Sequence, residues 1–143
     1  MNENLNYTIS IMGSQRSSDD EEEKFELITE GSFTQSDGAM SFCYRDSDVT
    51  GFDGAKTTFI VEPERITLTR DTWYGGDMVF DEREKHHFLY QTPFGSLAMG
   101  IKTEFVSRNL TDSGGNLQID YAIDVDNVVV SRNSFKINIK PTC

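Results

Sequence analysis

The chain has 143 residues, 36% of them hydrophobic and 11% aromatic, which is one domain's worth and enough to bury roughly two-thirds of its unfolded surface. With 13 basic against 24 acidic residues its formal charge is −11, which excludes a general binder of nucleic acid or of anionic membrane, since both require a basic footprint. No apolar run approaches the roughly 18 residues of a membrane span, and the first residues lack the basic and apolar regions of a secretory signal.

Two cysteines, Cys43 and Cys143, make no disulfide framework, so a reduced cytoplasm is the expected location. Part of the charge is local. Asp19, Asp20, Glu21, Glu22 and Glu23 against Lys24 sum to −4, which leaves −7 for the rest of the −11.

The pattern along the chain is period-2 alternation, the signature of strands with one buried face. The first expected strand covers about residues 5–13, with Leu5, Tyr7, Ile9 and Ile11 on one face. The acidic stretch at about 17–24 then reads as a mobile, solvated hairpin loop, because like charges repel. Residues 25–33 form the second strand, with Phe25, Leu27 and Phe33 in phase, and Asp37-Gly38 is a strong two-residue hairpin signal. Met40, Phe42 and Tyr44 share a face of the third strand. After Asp53-Gly54, Thr57, Phe59 and Val61 share a face of the fourth. Pro63-Glu64 leads to Ile66, Leu68, Arg70 and Thr72 in the fifth, and Trp73-Tyr74-Gly75-Gly76 turns into a short strand with Met78 and Phe80.

A charged loop at 81–86 precedes the hairpin at 87–101. There Phe88, Tyr90 and Thr92 alternate, Pro93-Phe94-Gly95 turns the chain, and Leu97, Met99 and Ile101 alternate again. The second arm is expected to continue to about Val106, and Gly114-Gly115 reads as part of the next turn. Residues 117–125 alternate most regularly, through Leu117, Ile119, Tyr121, Ile123 and Val125. Asp126-Asn127 suits a two-residue turn, and the last strand carries Val129, Phe135, Ile137 and Ile139 on one face. No apolar 3.6-residue period survives for three turns, so no helix is expected. About ten short-linked strands favour an all-β, closed antiparallel up-and-down barrel, because closure removes exposed edges.

Several spaced patches resemble one family. Thr92-Pro93-Phe94-Gly95, Met99-Gly100-Ile101, Asn109-Leu110-Thr111, Gly114-Gly115, Ile119-Asp120-Tyr121 and Phe135-Lys136-Ile137 are similar to the YwiB-like family. So are Thr57-Thr58, the 66–70 stretch and Met78-Val79-Phe80 upstream. That family comprises small bacterial calycin-like β-barrels of unknown function, related in shape to lipocalins and fatty-acid-binding proteins. The resemblance implies a single calycin-like domain over 1–143 and no particular activity, cofactor or catalytic residue.

Side-chain chemistry is sparse. Neighbouring strand residues such as His86 and His87 point to opposite faces and are poorly placed to share a metal. Asp77, Asp81, Glu82 and Glu84 fall on the charged loop. No Gly-x-Ser-x-Gly elbow is present, and Cys43 between Phe42 and Tyr44 reads as a structural thiol. Trp73-Tyr74 suits either a sticky rim for a ligand or partner or a plug over a barrel end, and the plug is the favoured expectation. Arg70 shares a face with Ile66 and Leu68, so if those two point inward it does as well, and it then needs either a structural partner such as Asp46 or Glu62 or a rim position reaching water. The expected function is a non-enzymatic barrel for a small apolar, amphipathic or anionic molecule, with Arg70, Tyr44, Tyr90, Tyr121 and Met99 as ligand contacts and no metal or cofactor. The alternative is a filled barrel that acts through its surface as an interaction or homodimer module.

Overall fold

A computed structural model describes residues 7–17, 21–46, 54–71 and 77–142, apart from the side chains of residues 91 and 92. Among the described residues are ten strands and no helix: β1 (Tyr7–Ser17), β2 (Glu22–Ser36), β3 (Ala39–Arg45), β4 (Lys56–Val61), β5 (Ile66–Arg70), β6 (Met78–Phe80), β7 (His86–Thr92), β8 (Gly95–Thr111), β9 (Gly114–Val125) and β10 (Val128–Pro141). There is accordingly no helix among them long and apolar enough to cross a membrane. The Trp73-Tyr74 turn lies outside the described residues.

One antiparallel sheet runs in the order β6-β5-β4-β3-β2-β1-β10-β9-β8-β7. Neighbours in sequence are neighbours in space, and the two terminal strands pair, with Ile9 opposite Ile139. The sheet coils because β2 changes partner along its length. Glu22 to Gly31 pairs with β1, whereas Gly31 to Ser36 pairs with β3. Such stagger tilts strands against the barrel axis and brings the sheet round on itself. Gly31 sits where β2 passes from one partner to the other, and a Cβ there would collide with the Cys43 carbonyl oxygen and Ile9 Cδ1. The barrel is nearly closed, with its seam between β6 and β7.

The inward faces match the alternation. Ile9, Ile11, Phe42, Phe59, Ile66, Leu68, Ile119, Ile137 and Ile139 are buried in one core cluster. Aromatic rings cross the interior: Phe42 stacks on Phe59 at 4.8 Å, Phe59 meets Phe135 edge-on at 6.0 Å, and Tyr121 lies 5.8 Å from Phe135. Stacked and edge-on pairs add to the stabilisation from burial itself. The turns follow their residues as well, since Asp37, Gly38, Asp126 and Asn127 all take the positive φ that two-residue hairpin turns require.

Four expectations are corrected. β2 begins at Glu22, and Arg16 pairs with Glu22 across the hairpin, so the acidic loop is shorter than 17–24. The long ladder holds these charges in strand geometry, with Arg16 and Lys24 both beside Glu22. β8 runs to Thr111 with a register shift between Thr103 and Phe105, which turns Phe105 outward and restores Val106 to the inner side. A second shift between Val129 and Ser131 moves Val129 off the core face. Gly114 and Gly115 open β9 rather than form the turn, because a Cβ at either would strike a neighbouring strand's carbonyl oxygen, that of Ile139 or Asn109.

Candidate functional site

Tyr44, Thr57 and Arg70 lie in register across β3, β4 and β5. Their alternation places all three inward, and Asp46 follows β3 at the same end of the barrel. Arg70 Nε donates to Asp46 Oδ2 at 3.4 Å, and the Thr57 hydroxyl donates to the same oxygen. The Asp46 side chain has no solvent exposure and that of Arg70 has 13%. The sequence reading paired an inward Arg70 with Asp46 or Glu62, and of these two it meets Asp46. Glu62 instead presents its backbone carbonyl to Arg108.

Asp46 Oδ1 is buried and has no hydrogen-bond partner. Native proteins leave few such atoms, since a buried unsatisfied polar group carries its full desolvation cost. The Tyr44 phenol stands beside the pair. Burial raises its pKa far above the ordinary value, the Asp46 charge raises it further, and Arg70 opposes both. Tyr121, from β9, is raised by burial and drawn down by Arg70 in the same way. Both phenols therefore keep their protons. Asp46, Tyr44 and Tyr121 thus come together near Arg70, and Asp46 is a residue that sequence reasoning named only as a structural partner.

Tyr90 and Met99 are placed differently. They lie on the β7–β8 hairpin, where Tyr90 is opposite Leu97 and Met99 opposite Phe88. Strand direction alternates, so the β3–β4, β5–β6 and β7–β8 connections share one end of the barrel. Tyr90 and Met99 are half-buried on the inner face of the hairpin, at the end that holds Arg70 and Asp46.

A second polar cluster closes the seam. Asp81, expected on a solvated loop, is buried. Its backbone N–H donates to Thr103 Oγ1 at 3.0 Å, and Arg83 grips its carboxylate through Nε at 3.1 Å and Nη2 at 3.0 Å. The Arg83 side-chain and backbone hydrogen bonds hold the Asp81 carboxyl well below the usual carboxylate range. His86 Nε2 lies 3.6 Å from Asp81 Oδ2 and 3.4 Å from Glu84 Oε1, while His87 is exposed. The ligand atoms of Asp81, Glu84 and His86 lie within 4.8 Å of one another. The Arg83 fork occupies both Asp81 oxygens and fixes the β6–β7 loop, which the Asp81 N–H to Thr103 bond then latches to β8 across the seam. A cleft of about 330 Å³ also lies on the outer face, bordered by Met12, Glu26, Asn116 and Lys136. Cys43, the structural thiol of the sequence reading, places its Sγ 2.9 Å from Ser32 Oγ on the facing strand.

The model of a family described as a domain of unknown function, DUF1934, matches residues 9–137. Among solved structures, the ywiB protein from Bacillus subtilis is similar over 94% of this chain and 91% of its own, with a TM-score of 0.74 at 16% sequence identity. A likeness at that identity concerns the fold. No curated protein matches the sequence.

Proposed function

The chain belongs to the DUF1934 family, domains of unknown function, and on that premise we propose that it is a non-enzymatic binding module for a small amphipathic molecule. The reading places the molecule at the barrel end that carries Asp46 and Arg70, in the manner of the calycin-like barrels. One observation carries it: Asp46 Oδ1, buried beside Arg70 and the protonated Tyr44 phenol, has no donor. A pocket of this kind uses a few fixed polar groups to orient a largely apolar guest. The inner face of the β7–β8 hairpin, with Phe88, Tyr90, Leu97 and Met99, supplies the apolar wall. The ring stack of Phe42, Phe59 and Phe135 limits how deep a guest can go.

The cluster offers donors and an acceptor, which serve recognition. A cytoplasmic setting suits the unpaired Cys43 thiol. Native mass spectrometry of the protein purified from its own cells tests the reading. The expected result is one small molecule bound to the 16.2 kDa chain, lost on collisional heating. A bare chain together with no response to alkyl probes would overturn it. A second reading, action through the surface as a homodimer, is favoured by the β7–β8 hairpin. From His86 to Ile101 the chain carries no Asp, Glu, Lys or Arg, and the outward Leu89 is exposed there.

A further inference from the structure

Resting on the binding reading, the geometry points to the class of head group: we infer that the site takes an uncharged hydroxyl, which donates to Asp46 Oδ1. The anionic head expected from an inward arginine is thereby replaced.

The argument is one of charge and valence. Arg70 and Asp46 form an ion pair at 3.4 Å, with Asp46 wholly buried and Arg70 nearly so, so the pair already balances itself. A carboxylate head would enter beside the Asp46 carboxylate, and an ammonium head beside the Arg70 guanidinium. Either one adds a third charge to a desolvated pair, and an uncompensated buried charge is costly. Among the described residues the vacancy in the cluster is an acceptor, Asp46 Oδ1, since Oδ2 already receives Arg70 Nε and the Thr57 hydroxyl. A guest must therefore bring an O–H or N–H.

A hydroxyl supplies that donor without bringing a charge. An apolar body can then lie along Phe88 and Met99, which are opposite each other on the inner face of the hairpin at this end.

The experiment holds the chain constant and changes the head. 1-Octanol, octanoate and octylamine are titrated into the full chain by isothermal calorimetry at neutral pH and physiological salt. 1-Octanol is expected to bind at one site, at least tenfold tighter than either charged homologue. The same titrations are run on the double variant Asp46→Leu/Arg70→Met, which removes both charges together so that neither is left unpaired. There the preference for octanol should vanish, with the three probes within about threefold of one another.

If octanoate or octylamine binds as tightly as octanol, the hydroxyl inference is overturned while the binding reading stands. The inference is equally overturned if the preference survives in the double variant, because the head then sits elsewhere. If no probe binds, both fall, and Asp46 Oδ1 is satisfied by water.

Discussion

Replacing Arg70 by methionine tests whether the Arg70–Asp46 pair belongs to the fold. Methionine keeps the apolar stem and much of the length of arginine, so the change removes mainly the guanidinium. What remains is a carboxylate with no solvent exposure, whose Oδ2 keeps only the Thr57 hydroxyl and whose Oδ1 still has no partner. Breaking a buried pair by removing one member costs about 3–5 kcal/mol, and the retained Thr57 donor places the expectation at the lower end, about 3 kcal/mol. Arg70 is well under a third exposed, so solvent screening reduces this little. In a chain of this length about 3 kcal/mol corresponds to a fall in melting temperature of roughly 6–12 °C. Urea denaturation followed by far-ultraviolet circular dichroism gives the figure directly, as a lowered midpoint with the slope unchanged. The double variant Asp46→Leu/Arg70→Met should recover to within about 1 kcal/mol of the wild type, since an apolar pair of similar volume replaces a buried ion pair at little cost. A loss below about 1 kcal/mol for Arg70→Met alone would refute the reasoning, because Asp46 would then have to be solvated.

The seam latch is sensitive to acid in a defined direction. Arg83 lowers the Asp81 carboxyl below its ordinary value of 3.8, so the stability it contributes is present above that pH and is lost as pH falls toward the depressed native value. Melting temperature followed from pH 6 to pH 2 should therefore fall less steeply for Asp81→Asn than for the wild type; parallel profiles would show that the latch contributes nothing. The surface reading is tested at Leu89, which is 55% exposed and outward on β7, so Leu89→Glu should leave the fold intact. If two copies meet at this hairpin, sedimentation velocity should show twice the 16.2 kDa mass for the wild type and a single copy for the variant. A wild-type monomer at every concentration would rule out the homodimer.

The sequence by itself determined much of this protein. Alternation of apolar residues located all ten strands and put Ile9, Phe42, Phe59, Leu68, Ile119 and Ile137 inside. Asp37-Gly38 and Asp126-Asn127 announced their turns through the φ that those residues tolerate. It even placed Arg70 inward with Asp46 among its partners, because an inward charge needs an opposite one. All of these are short-range facts, carried by side-chain period and backbone sterics within a few residues.

Tertiary structure alone decided the rest. The shifts at 103–105 and 129–131 reverse which residues face the core, yet an inserted residue leaves no mark on composition. Gly114 and Gly115 look like a turn until the carbonyls of Ile139 and Asn109 are seen to need their space. Asp81 reads as a solvated loop residue, and only the return of Arg83 and the approach of Thr103 from β8 explain its burial. The vacancy at Asp46 Oδ1 is of the same kind. A one-dimensional pattern states which face each residue belongs to, whereas the stagger of ten strands decides which residues meet across the barrel, and stagger is a property of the closed sheet.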